Sequence, residues 1–109
     1  MLIVNSDNSI ELTRGDTARL VVSVVQDDGI EYIIQPGDTI TLSLKKSVSD
    51  AETVLQKKIT GGNTIHIKPE DTAVLDFGRY KYDVQINTES GDVYTVLLAF
   101  FTLTDEVTT

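Results

Sequence analysis

The chain has 109 residues, 40% of them hydrophobic, no cysteine and a formal net charge of −8. That length suits one domain around one core, and the missing cysteines remove disulfides, thiolate metal sites and cysteine nucleophiles together. The negative field argues against nucleic acid, whose phosphates require clustered Lys and Arg.

The first residues, Met1 to Val4, run directly into Asn5, Ser6 and Asp7. There is no basic start followed by a long apolar run, so neither a signal peptide nor a membrane anchor is expected. The absence of cysteine leans towards a reducing compartment. Residues 9–13 (SIELT), with residues 2–5 (LIVN), predict an opening strand. Residues 13–17 (TRGDT) then spell Arg14-Gly15-Asp16, a tripeptide that cell-adhesion receptors read on exposed loops. Gly-Asp recurs in residues 36–39 (PGDT) and 90–93 (SGDV), each time at the mouth of an expected strand. Glycine relieves the bend and aspartate can bond back to local backbone. One turn chemistry thus accounts for all three, and Arg14 is read as part of a turn.

Residues 17–26 (TARLVVSVVQ) predict one long β-branched strand with Ala18, Leu20, Val22 and Val24 inward. Asp28-Gly29 predicts a tight type I′ hairpin turn. Residues 39–46 alternate through Ile40, Leu42 and Leu44, and residues 47–52 (SVSDAE) read as a polar loop. Residues 53–59 form a further expected strand, followed by a hairpin turn at 60–63 (TGGN) and a short strand with Ile65 and Ile67 inward. Residues 45–68 hold Lys45, Lys46, Lys57, Lys58 and Lys68 against Asp50 and Glu52. This is either ordinary charge scatter or a basic patch that meets the acidic face of a neighbouring copy. Residues 69–75 form the one expected helical turn, with Pro69 at its start and acids behind it.

Residues 80–88 (YKYDVQINT) alternate with Tyr80, Tyr82, Val84 and Ile86 on one face. The last strand, residues 93–103, is apolar on both faces. Tyr94, Val96, Leu98 and Phe100 fall on one side; Val93, Leu97, Ala99, Phe101 and Leu103 fall on the other. A strand apolar on both faces is covered on both faces. Fully exposing Leu97 and Phe101 would forgo roughly 1.5–3 kcal/mol each. The cover is either the chain's own N-terminal segment or a loop, or a protein partner, which makes Leu97, Ala99 and Phe101 the possible interface.

Little in the chain suggests chemistry. His66, the single histidine, lies between Ile65 and Ile67 and so points away from the core. Asp27, Asp28 and Glu31 cluster near one hairpin without calcium-loop spacing. No nucleophile elbow or phosphate loop occurs, and nothing singles out a pair of carboxylates. Few aromatics remain for stacking a sugar or base. The expectation is a protein that is not an enzyme and has no cofactor or metal.

Seven or eight strands at regular spacing, with turns between and one helical turn, predict an all-β antiparallel sandwich or small barrel. The local pattern Asp76-x-Gly78-x-Tyr80-x-Tyr82 resembles the tyrosine corner of immunoglobulin-like domains, in which a tyrosine hydroxyl bonds to backbone just upstream. By that resemblance Tyr80 is the corner tyrosine and Tyr82 stands where the usual second cysteine would be. This selects an immunoglobulin-like β-sandwich over residues 1–104, with residues 105–109 as a short polar tail.

A wider resemblance covers nearly the whole chain. The order of residues 12–24 (LTRGDTARLVVSV), 27–32 (DDGIEY), 37–47 (GDTITLSLKKS), 67–86 (IKPEDTAVLDFGRYKYDVQI) and 91–96 (GDVYTV) resembles small immunoglobulin-like domains of phages and prophages of Gram-positive bacteria. It is similar to the N-terminal domain of phage upper baseplate proteins, where a fibre or receptor-binding region follows; here the pattern stops near residue 104. The resemblance implies a virion structural module of baseplate, tail or capsid that docks onto other virion proteins or copies of itself. It also implies a place in the virion, or in the host cytoplasm during assembly. The competing expectations are an immunoglobulin-like module of a bacterial surface adhesion protein and a carbohydrate- or calcium-binding sandwich.

Overall fold

A computed structural model describes residues 2–46 and 52–105. The expected loop at 47–52 therefore lies outside the described residues except for Glu52, as does the expected tail beyond Asp105. Among the described residues the chain is all-β apart from one helical turn.

Strands β1 (Leu2–Val4) and β2 (Ile10–Thr13) form a hairpin around Asn5–Ser9. Strand β3 (Ala18–Val21) follows, then the short β4 (Val24–Val25) and β5 (Glu31–Tyr32). After β6 (Thr39–Lys45) come β7 (Leu55–Thr60) and β8 (Thr64–Ile67), then α1 (Pro69–Ala73), β9 (Gly78–Asn87) and β10 (Val93–Thr104). A six-stranded sheet runs β1-β2-β10-β9-β6-β7, while β3 pairs with β8 and β4 with β5 in separate two-stranded ribbons. The large sheet is mixed, because β2 lies parallel to β10, where the sequence reading expected antiparallel pairing throughout.

One core unites the large sheet with the β3–β8 ribbon. Leu12, Ile40, Leu44, Ile65, Ile67 and Phe101 are completely inaccessible to solvent, and Ala18, Leu42, Tyr80, Tyr82, Val84, Ile86 and Leu103 nearly so. Each alternate residue of β6, β8 and β9 contributes, as the period-two pattern requires.

The expected long strand at 17–26 is interrupted. Its inward set holds: Ala18, Leu20 and Val24 are buried and Val22 packs against the core. The ladder stops because the partner strand β8 begins at Thr64; the Val22 amide makes a last bond to the Asn63 carbonyl at 2.8 Å. The chain then pairs with β5 instead. The turn between β4 and β5 also differs from the expected type I′. Gly29 takes φ 83°, but Asp28 does not share the positive φ that a type I′ turn requires at both central residues. The Gly29 amide bonds to the Gln26 carbonyl and the Gln26 amide to the Ile30 carbonyl, both at 2.9 Å. This is a type I turn closed by a left-handed glycine.

The helical turn sits as expected, with Pro69 at the first helical position. The Asp71 carboxylate accepts from the Lys68 amide at 2.8 Å, satisfying a donor at the helix start. No helix among the described residues is long and apolar enough to cross a membrane.

Candidate functional site

The corner ahead of β9 is built from its own sequence. Gly78 has φ 135°, a backbone shape that disfavours other residues. It turns the chain so that the Tyr80 hydroxyl donates to the Asp76 carbonyl at 2.7 Å. Burial pushes the Tyr80 hydroxyl up. Two residues on, the Tyr82 hydroxyl donates to the carbonyl of Asn8 in the β1–β2 hairpin, and burial first, then the Asp7 charge, pushes its pKa to about 12. Asp76, Gly78 and Tyr80 thus fix the entry to β9, and Tyr82 fastens the β1–β2 hairpin to the same strand.

The final strand takes Phe101 out of the possible interface and leaves Leu97 and Ala99 partly exposed. Thr95 pairs with Gln85 but Leu97 pairs with Val84, so Val96 is an extra residue, a β-bulge. Beyond it Leu97, Ala99, Phe101 and Leu103 share the inner face with Val84, Tyr82 and Tyr80. Phe101 is 0% exposed and meets the Tyr82 ring edge-on, with centroids 5.9 Å apart. Phe101 therefore belongs to the core, and Leu97 and Ala99 pack against it. Before the bulge the parity is reversed, and Tyr94 lies opposite buried Ile86. Much of the two-faced apolar pattern is one inner face whose parity shifts at Val96. Leu97 and Val96 also line an open cleft of about 410 Å³ between the bulge, the β1–β2 hairpin and β3.

What remains outside is the opposite face. Leu98 is 60% exposed. Phe100 is half-buried beneath two cations: the Lys81 Nζ lies 3.8 Å and the Arg79 guanidinium carbon 4.2 Å from its ring centroid. Lys81 is also the cross-strand partner of Lys45. Lys58, exposed on β7, lies across from Thr41 on the same side. Glu11 and Asp83 are the acids on this face. None of these four cations has a carboxylate within ion-pair distance among the described residues, unlike Lys57, which meets Asp71 at 2.8 Å. Sequence reading placed Lys45 and Lys58 in a basic stretch but missed Arg79 and Lys81, because the cations come from three strands. The signal available was Arg79 and Lys81 at alternate positions opposite the tyrosines.

Two of the three Gly-Asp turns use a left-handed glycine, Gly15 and Gly91 (φ 98°), and the third does not. Gly15 has φ 86° within a turn closed by the Asp16 amide and the Thr13 carbonyl at 3.0 Å. Gly37 needs no unusual φ; a Cβ there would lie 2.6 Å from the Glu89 side chain, so it answers a close approach. Asp38, 1% exposed, does more than close its turn. It accepts from the Tyr32 hydroxyl at 2.6 Å, the Gln35 amide at 2.9 Å and, across the molecule, the Glu89 amide at 3.0 Å. The Tyr32 and Gln35 bonds hold its carboxyl below the usual range against the effect of burial, while the same contact pushes the Tyr32 hydroxyl up.

Arg14 is half-buried. Its Nη1 donates to the Leu75 carbonyl at 3.3 Å and its guanidinium lies 4.0 Å from the Phe77 ring centroid. The neighbouring Gly15 amide donates to buried Thr72 Oγ1 at 2.9 Å. The tripeptide is docked on the helical turn. His66 is half-buried on β8 opposite Arg19. Asp27, Asp28 and Glu31 are exposed, and Asp28 Oδ1 accepts from the Ile30 amide at 2.9 Å. Among the described residues no group of three or more His, Cys, Asp or Glu side chains is placed to hold a metal ion.

No protein-family model matches the chain, and no curated protein matches it in sequence.

Proposed function

We propose that this chain is a non-enzymatic, immunoglobulin-like interaction module of a phage or prophage particle, a baseplate, tail or capsid accessory component acting through protein–protein contacts. The immunoglobulin-like assignment is supported by strand order. The run β10-β9-β6-β7 follows the G-F-C-C′ order of variable-type sheets, with β3 and β8 in the places of B and E. The bond from Tyr80 to the Asp76 carbonyl supports it independently. The resemblance of the strand and turn segments to phage domains supplies the setting.

The observation that carries the docking role is the outer face of the large sheet. There exposed Leu98 and half-buried Phe100 are flanked by Arg79, Lys81 and Lys45. Aromatic and aliphatic groups beside arginine are typical anchors of protein interfaces. A sheet presents them on a rigid backbone, so little ordering cost accompanies docking. The partners are other virion proteins or copies of the chain. A mass-spectrometric inventory of purified particles tests this reading. The chain is expected there at a fixed ratio to the major structural proteins. Recovery from the host cell envelope, with none in particles, would contradict it.

A further inference from the structure

The outer face carries a feature that a solvated sheet does not favour. Lys45 and Lys81 sit directly opposite each other on neighbouring strands, and Arg79 shares the Phe100 ring with Lys81. Like charges in such positions destabilise a sheet, and the described carboxylates leave them unpaired. An anionic group between them would relieve the repulsion. The chain itself holds a matching element. Among the described residues the β4–β5 ribbon pairs with no other strand, and it displays Asp27, Asp28 and Glu31 around its turn, with Val25, Ile30 and Ile33 each more than 60% exposed. Tyr32 anchors its base to Asp38, beside Glu89, so this end of the molecule is acidic as well as apolar. Apolar groups beside acids on one element correspond to Phe100 beside Arg79, Lys81 and Lys45 on the other, with Asp83 across from Leu98 at the far side of the patch.

Resting on the docking role above, we infer that the occupant of the outer sheet face is a second copy of this chain, which inserts its β4–β5 hairpin tip against Phe100 and Leu98. Asp27 and Glu31 of the hairpin meet Lys45, Lys81 and Arg79 of the face. Because hairpin and face are different surfaces, the contact is heterologous. Every copy offers one of each, and association continues into a ring or a filament. The hairpin is small, so a single contact is weak, with a Kd on the order of 100 μM. Repetition around a particle raises the effective concentration enough to compensate. The phosphate backbone of a nucleic acid is disfavoured as the occupant by the charge of −8 on the rest of the molecule.

Sedimentation of the full chain tests this. Self-association is expected at about 20 mM salt and weakens at least about tenfold at about 500 mM. The Lys45→Glu/Lys81→Glu variant and the Asp27→Lys/Glu31→Lys variant, both altered at outward positions, each sediment as monomers with unchanged circular dichroism. Mixed in equal amounts they associate again, since each reversed surface then meets its complement. A wild-type chain that stays monomeric near 1 mM at low salt overturns the inference. So do variants that associate alone as the wild type does, a mixture that stays monomeric, or a monomer that binds DNA through this face. The particle inventory is a separate readout. A monomeric chain found in particles sinks the second-copy occupant and spares the virion reading; a self-associating chain absent from particles does the reverse.

Discussion

Phe100 and Phe101 are adjacent in sequence, chemically identical and placed on opposite faces by strand alternation, with the register beyond the Val96 bulge turning Phe101 inward. Phe101→Ala removes a completely buried ring that packs edge-on against Tyr82 and pairs across strands with Tyr80 and Ile10. Both flanking strands are held in the ladder, so the site cannot easily collapse. The expected cost is about 3–5 kcal/mol. For a domain of this size that lowers Tm by roughly 15–30 °C. Phe100→Ala loses a half-buried ring and its contacts with Arg79 and Lys81. Two exposed cation–π contacts contribute about 1–2 kcal/mol together and half-burial of the ring about 1 kcal/mol more, so the cost stays near 2–3 kcal/mol and Tm falls by roughly 8–20 °C, less than for Phe101→Ala. Urea unfolding of the two variants beside the wild type reads both numbers, with an unchanged slope showing that the transition remains two-state. Equal costs, or a larger loss from Phe100→Ala, would refute the register beyond the bulge and with it the identity of the outer face.

Further outcomes follow from the same geometry. Tyr80→Phe removes one neutral hydrogen bond to the Asp76 carbonyl and costs about 0.5–1.5 kcal/mol in urea unfolding. The carboxyls of Asp38 and Asp71 are held low in the folded state. Their contribution is therefore complete above the unfolded value of about 3.9 and is lost as pH falls through the folded values. Urea titrations from neutral to acid pH should show this loss, and Asp38→Asn should flatten it. The Tyr82 hydroxyl ionises near pH 12 in the fold and near its ordinary value of about 10 when unfolded. Stability therefore falls as pH rises between them, and a late phenolate transition appears in ultraviolet absorbance. Because Arg14 is docked on Leu75 and Phe77, the immobilised protein should support no attachment of integrin-bearing cells that a soluble Arg-Gly-Asp peptide competes away.

The strands with clean alternation were legible. Residues 80–88 put Tyr80, Tyr82, Val84 and Ile86 inside, and all four are buried. The tyrosine corner was legible because its bond closes within four residues of chain. The parity change in β10 was not. Around Val96 only Thr95 is polar, and a bulge in so apolar a run leaves little mark in the hydrophobic pattern, so alternation was carried unbroken across it. The parallel pairing of β2 with β10 joins residues about ninety positions apart and depends on how the whole sheet assembles. The three Gly-Asp turns looked alike because local sequence hides what lies across the molecule. Gly37 answers to the Glu89 side chain and Asp38 to the Glu89 amide. The pairing of Lys45 with Lys81 was hidden for the same reason, since the two meet only when β6 and β9 are laid side by side.

Lysine acetylation of free chain and of chain within purified particles, compared site by site, measures the docking face directly. The account predicts that Lys45 and Lys81 lose reactivity on assembly while Lys68, exposed beside the helical turn, keeps it. Equal labelling of Lys45 and Lys81 in the two states, or protection confined to Lys68, would contradict it.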